Sequence, residues 1–166
     1  MRKLIFATLF FGLFVVQVSA QDISLRDVFC QMPDTLTPYL TQNNRLDFID
    51  FMDSNMKAKV QNELGGTSEM TALTSDSISI SMSPSMIIDI LMFTLDEPTD
   101  SLTHVVAFVE TFLVDSIHGE SKVKYYTPTW RPLLEEPMLS EPQKKRIYHL
   151  KLQNILKRDD DLLNKG

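Results

Sequence analysis

Asp89 is the one charge in an apolar run from Met86 to Leu95, and a carboxylate in such company is a natural starting point for general acid or base catalysis. Read as a strand, the run puts Asp89 on the same face as Ile87, Leu91 and Phe93, where desolvation raises a carboxyl pKa unless a partner stabilises its charge. An edge position, or a lysine on the next strand, is the plainer reading. His104 and Glu110 lie six residues apart in a second apolar stretch, so on a strand they share a face about 20 Å apart, too far to act on one substrate atom. Asp89, Glu110 and His104 are the catalytic candidates, and they would serve a small hydrolase built around a buried carboxylate. No G-x-S-x-G, H-E-x-x-H, cysteine-based zinc spacing or phosphate loop accompanies them, and His118 and His149 join no constellation.

Asp47, Asp50 and Asp53 recur every three residues at helical spacing and share part of one face. Calcium wants six to eight oxygens, many of them from a loop backbone, which a regular helix does not offer, so a solvated acidic face is expected and no metal or cofactor is assigned. The binding candidates are Tyr125, Tyr126 and Trp130, aromatic types that contribute disproportionately to interfaces, and the polar group Asn43, Asn44, Arg45 and Asp47. Core filling competes for the first set, and helix capping and anchoring for the second. Cys30 is the single cysteine, so no intrachain disulfide can form, and its apolar helical setting favours an inert, semi-buried thiol.

The elements that would carry these residues divide by rhythm. Ser24 is placed to cap a short helix in which Leu25, Val28, Phe29 and Met32 share a face and which Pro33 ends; a further helical turn is expected over 34–40. Thr41-Gln42-Asn43-Asn44 opens a second helix, with Leu46, Phe48, Ile49, Met52, Met56 and Val60 on its apolar side, and Gly65-Gly66 is expected to stop it. From Glu69 the period becomes two. Strands are predicted over 77–83, 86–95, 103–114 and 121–127, joined by turns at Ser83-Pro84-Ser85, Asp96 to Ser101 and Asp115 to Glu120. Short connections make this an antiparallel meander. The predicted class is α+β, with N-terminal helices on one face of a sheet of about four strands, and serines and lysines meeting water on the other.

The tail is ambiguous. Ser140-Glu141-Pro142-Gln143 resembles a capping box opening a helix through Ile147, Leu150, Ile155 and Leu156, whereas Tyr148, Leu150 and Leu152 at period two would make an edge strand. Helix is the preferred reading. Lys144-Lys145-Arg146, with Lys151, Lys157 and Arg158, and the following Asp159-Asp160-Asp161 then read as solvated charge, with docking of an acidic partner by the basic cluster as the alternative. Missing tail strands would leave a sheet edge open to a second copy of the chain or to a peptide strand.

Residues 1–20 read as a secretory signal peptide: Arg2 and Lys3, an apolar run from Leu4 to Val16, then Val18-Ser19-Ala20 before a cut at Gln21. The run is short for a permanent span. The organisation expected is a signal at 1–20, one α+β domain at 21–134 and a C-terminal tail at 135–166. Losing Arg2 and Lys3 from 16 basic residues leaves 14 against 22 acidic ones, a net charge of −8, which argues against nucleic acid as a partner. Cys30 stands ten residues past Ala20 without a lipobox before it, so no lipid anchor is expected.

Arg26-Asp27-Val28-Phe29, Met32-Pro33-Asp34-Thr35-Leu36, the stretch from Asn43 to Asp53, Leu64-Gly65-Gly66, Pro98 to Leu102 and Tyr126-Thr127-Pro128-Thr129-Trp130 together resemble the signature of a family of uncharacterised secreted Bacteroidales proteins, domain of unknown function 3256. The likeness runs from Asp22 to Leu134, and the chain is expected to end differently from its relatives beyond that point. The resemblance implies a Gram-negative periplasmic or secreted protein and supplies no activity and no site. The expected function is therefore a non-catalytic binding module for an envelope protein, glycan or small ligand, with the hydrolase as the alternative.

Overall fold

A computed structural model describes residues 23–99, 102–114 and 119–163. The expected signal peptide, His118 and the tip of the 96–101 turn lie outside them. The described residues form an α+β fold: helices α1 (Leu25–Cys30) and α2 (Gln42–Asp53), strands β1 (Lys59–Gln61), β2 (Thr67–Leu73), β3 (Ser77–Ser83), β4 (Met86–Thr99), β5 (Leu102–Leu113) and β6 (Gly119–Tyr126), then helix α3 (Glu141–Leu163). The sheet has six strands in chain order, each antiparallel to the next, rather than about four.

Strand β1 exists because α2 stops early, and β2 forms where the period of two begins. Asn55 takes a left-handed φ of 53°, Met56 N–H donates to Phe51 O (2.8 Å) and Asn55 N–H to Met52 O (3.1 Å), the paired bonds that close a helix with a Schellman turn. Met56 is left exposed, Val60 goes to β1, and Leu46, expected inside, is 44 % exposed. Gly65-Gly66 turns the β1–β2 hairpin instead of ending a helix. Gly65 has φ 76°, and the buried Asn62 side chain accepts from the Leu64 and Gly66 amides.

Three smaller expectations change. Ser24 precedes α1 but its hydroxyl does not cap it. Residues 34–40 form successive tight turns, with bonds such as Leu36 N–H to Pro33 O and Leu40 N–H to Thr37 O, in place of a helical turn. Strand β4 continues through Asp96-Glu97-Pro98 to Thr99, with its register slipping between Thr94 and Thr99.

The sheet divides the core. Ile78, Ile80, Met82, Ile88, Ile90, Met92, Val106 and Phe108 face one way and meet Leu25, Phe29 and Phe48 of the N-terminal helices. Leu91, Phe93, Val105, Ala107 and Val109 face the other way and meet Leu139 and Ile147. The second face is not open to water as expected, because α3 lies across β4 and β5 and covers it. The tail is helical, and Ser140 N–H donates to Gln143 Oε1 (2.9 Å) at its start.

Arg45 ties the first layer together. Its side chain is buried in α2, with Nη1 donating to Leu40 O (3.0 Å), Nη2 to Met32 O (2.5 Å), and Asp34 Oδ1 2.8 Å away. One guanidinium thus holds both ends of the 32–40 turns against the helix. Arg45→Ala leaves two carbonyls without that donor and is expected to lower the unfolding free energy by about 3 kcal/mol. Arg45→Lys, which cannot span both carbonyls, should fall between. Urea unfolding followed by circular dichroism checks both, and wild-type stability in Arg45→Ala would refute the assignment.

Candidate functional site

Asp89 sits mid-strand in β4, opposite Ser79 of β3 and Val109 of β5, with its side chain buried under α3. One carboxylate oxygen accepts from the Ser79 hydroxyl and the other from the Asn154 amide of α3. It does not lie at an edge; a hydroxyl from the sheet and an amide from α3 are among the groups that hold it. Thr111 of β5 and Ser121 of β6 share a hydroxyl bond of 2.9 Å nearby on the same face. The serines expected in water therefore form part of a polar band between sheet and helix.

Glu110 lies on the opposite face from Asp89, since Ile88 is its register partner on β4, and it pairs with Lys124 of β6 at 2.8 Å. That carboxylate raises the Lys124 pKa. His104 stands opposite Thr94 near the far end of β5, its Nδ1 2.9 Å from the Thr103 hydroxyl. The fold brings none of the three together. Burial, and next the charge of Asp27, push the Cys30 thiol above its ordinary pKa, which lowers its thiolate fraction. Asp53 takes both its bonds from Arg26 (2.5 and 2.7 Å), and among the described residues no three His, Cys, Asp or Glu side chains gather as a metal site would require.

The aromatic candidates separate. Trp130 and Tyr126 lie inside, each packed against Phe108, at ring-centroid distances of 6.2 Å. Trp130 holds a left-handed φ of 61° and its indole N–H donates to Val28 O (2.7 Å), so the turn after β6 is fastened to α1. Tyr125 points the other way, toward α3. Its phenol donates to Glu136 (3.3 Å), and burial, then Glu136, push its pKa up to about 12, which keeps it a neutral donor. At the start of α2, Asn44 completes a reciprocal capping box with Thr41, Arg45 is buried, and Asn43 and Asp47 are exposed.

What the structure assembles around Tyr125 is a groove of about 440 Å³ between β6 and α3, bordered by Glu136, Lys144, Tyr148 and Lys151. Two phenols, two ammonium groups and a carboxylate line one concavity, a mixture suited to an elongated polar ligand with an acidic group. Sequence reading found Tyr125 and, within the basic cluster, Lys144 and Lys151, but not Glu136 or Tyr148 or their meeting, because the groove exists only once α3 is docked. The available signal was the unbroken apolar runs of β4 and β5, which demand cover on both faces.

A family model described as a protein of unknown function, DUF3256, matches residues 15–161. The chain belongs to this family. The match extends well past Leu134, so the tail follows the family pattern rather than departing from it. Among solved structures, a domain of an uncharacterized protein from Porphyromonas gingivalis W83 is similar, at 21 % identity and TM-score 0.54 over 75 % of this chain and 68 % of that one, a likeness of fold. No curated protein matches the chain. Among the described residues no helix is long and apolar enough to cross a membrane.

Beside the apolar contact of Ile147, polar bonds dock α3: Arg146 forks onto Asp76 (2.5 and 2.8 Å), Gln143 donates to Thr94 O (2.9 Å), and Asn154 reaches Asp89. Asn154→Ala is expected to cost about 1–3 kcal/mol and to speed tryptic cleavage within α3, read by mass spectrometry; unchanged cleavage would count against the docking bond. The Arg146 hydrogen bonds hold the Asp76 pKa below its ordinary 3.8. A depressed folded pKa means stability present above 3.8 and lost as pH falls through the lower folded value. The stability difference between wild type and Arg146→Ala should thus be constant from pH 7 to pH 5 and shrink toward zero below pH 4, as measured by thermal melts.

Proposed function

We propose that this chain is an exported envelope protein of a Gram-negative bacterium, periplasmic or secreted, that acts as a non-catalytic binding module through the groove between α3 and β6. The export reading rests on the charged, apolar and small-residue order of residues 1–20. The observation that carries the binding reading is the groove itself, where Tyr125, Tyr148, Lys144 and Lys151 converge on one concavity. Asp89, Glu110 and His104 support it from the other side. They lie on different faces or far apart, and Asp89 and Glu110 are engaged in bonds that hold the fold.

The ligand chemistry follows from the lining. The ring faces of the two tyrosines suit a sugar or an apolar side chain, the neutral Tyr125 phenol suits an acceptor, and the lysines suit a carboxylate. An envelope glycan or peptide bearing carboxylates fits this description better than a polyphosphate, because Glu136 repels multiply charged anions.

Two measurements test the proposal. Mass spectrometry of the protein recovered from the cell envelope should find Gln21 as its first residue; a chain retaining residues 1–20 in the cytosol would refute export. Titration of the isotope-labelled protein with soluble peptidoglycan fragments should move amide resonances at Tyr125, Tyr148 and Lys151 first. Tyr125→Ala should weaken that binding by about tenfold or more. Absence of any shift at the groove at millimolar ligand would overturn its role for this ligand class.

A further inference from the structure

The sheet ends on β6, and part of that edge is uncovered among the described residues. In an antiparallel ladder the backbone groups of successive residues point to opposite sides of the strand. Tyr125 O accepts from Leu133 N–H (2.9 Å) and Thr127 N–H donates to Arg131 O (2.9 Å), the two bonds that bracket the Tyr126–Pro132 bridge. The outward-pointing backbone groups of β6 are therefore those of Ser121, Val123 and Tyr125. The chain's own segment runs beside β6 only as far as Leu133, then bends at residues 134–135 and leaves, with Leu134 99 % exposed. Ser121 and Val123 keep outward N–H and C=O groups that no described residue meets.

That open edge is one wall of the groove between β6 and α3. Val123 and Tyr125 turn their side chains toward α3, where Ile147, Tyr148 and Lys151 stand across from them. A strand added to the edge lies about 4.8 Å outside β6, so its backbone meets Ser121 and Val123 while alternate side chains enter the groove. A sugar ring presents no row of N–H and C=O groups at strand spacing, whereas an extended peptide does. Charge narrows the peptide further. Lys144 and Lys151 stand on the groove side, and Lys122 and Lys124 on the other side of β6 are exposed; of these two, only Lys124 has an ion pair, with Glu110. Lysines along an edge strand discourage two identical edges from pairing and favour a partner that carries carboxylates.

We infer that the groove receives an extended peptide bearing carboxylates, which adds to β6 as a seventh strand along Ser121 and Val123. This rests on the groove reading given above and narrows its ligand from glycan or peptide to peptide. The stretch from Gly119 to Lys124 offers about 20 Å of edge, room for a short segment and not for a whole domain. The opposite edge of the sheet offers less, because β1 is three residues long and its Gln61 O already accepts from Asn44 (3.4 Å). Main-chain bonds supply the affinity of such a complex, and the side chains that reach Tyr125 and Tyr148 supply its selectivity.

The probe is an acetylated and amidated peptide of alternating valine and glutamate, titrated into the isotope-labelled protein. Resonances of Tyr125 and Tyr148 should shift, and hydrogen exchange of the Ser121 and Val123 amides should slow by about tenfold or more at saturation. Methylating the peptide nitrogens of alternate residues should weaken binding about tenfold in one phase of the alternation and leave it unchanged in the other, since only one set of amides faces β6. Val123→Pro removes an outward donor that the sheet itself does not use, so it should keep the circular dichroism spectrum and lose binding by a similar factor. Shifts at Tyr125 and Tyr148 without slowed exchange at Ser121 and Val123, or binding indifferent to methylation in both phases, overturn strand addition and leave the groove reading standing. No response to the peptide while peptidoglycan fragments still move the groove overturns it as well, and silence toward both probes removes the groove reading with it. Slowed exchange in the absence of peptide, growing with protein concentration, assigns the edge to a second copy of the chain and overturns the inference equally.

Discussion

Strands β4 and β5 are apolar on both faces, and neither face can be left to water. Alternate residues from Ile88 to Phe93 and from Val105 to Val109 are buried on opposite sides of the sheet. Leaving one side open would expose at least four large side chains on adjacent strands, a cost of roughly 1.5–3 kcal/mol each, enough to erase the stability of a small domain. Everything peripheral answers to that requirement. Helices α1 and α2 cover one side, α3 covers the other, and the outer strands, with alternating burial such as that of Ser77–Ser83, are the ones that tolerate a polar face.

Hydrophobic cover alone does not fix how a helix lies on a sheet. Apolar contact is non-directional, so the angle and register of each layer are left to hydrogen bonds that are costly to break once dry. On the first side Arg45 performs this function, joining α2 to Met32 and Leu40. On the second side Asp89 does so with Asn154, while Arg146 and Gln143 clamp the helix start to Asp76 and Thr94. A carboxylate in the middle of a central strand is thus understood as a registration device for the helix above it. The same burial and hydrogen bonding that make such a residue resemble a catalytic acid in sequence are what make it useful structurally.

The sequence made the central elements readable and concealed the seams. The serine-separated isoleucines at 77–83, the apolar runs at 86–95 and 103–114, and the capping pattern at Thr41 to Asn44 each stated their conformation through local rhythm, and each forms there. The failures came from two places where local signals compete. Gly65-Gly66 is a stronger helix stop on composition than Asn55, yet Asn55 adopts the left-handed conformation first and frees 59–61 for a strand. The tail has a mixed period because its inner face is part polar, matching Asp89 and Asp76, so its apolar stripe is thin. Taken together with the tail, the two-sided apolarity of β4 and β5 already demanded a second helical layer; taken one segment at a time, it did not. The groove was hidden for the same reason, since Tyr125 and Lys151 are 26 residues apart and meet only through α3.

A helix that is both cover and surface couples what happens on its two sides. The groove between Tyr125 and Lys151 exists only while α3 is docked, so whatever binds there binds the closed form and stabilises it in proportion to occupancy. The reverse holds by the same linkage: each bond that fastens α3 from beneath, Asp89 to Asn154 or Asp76 to Arg146, raises the fraction of molecules in which the groove is formed. Without an intrachain disulfide, for Cys30 is the single cysteine, this fold has no covalent constraint to make that docking permanent. Buried polar side chains beneath α3 are therefore what hold the groove in shape, and sequence change at Ser79 or Asp89 would alter the docking of the helix that walls it without touching the groove lining.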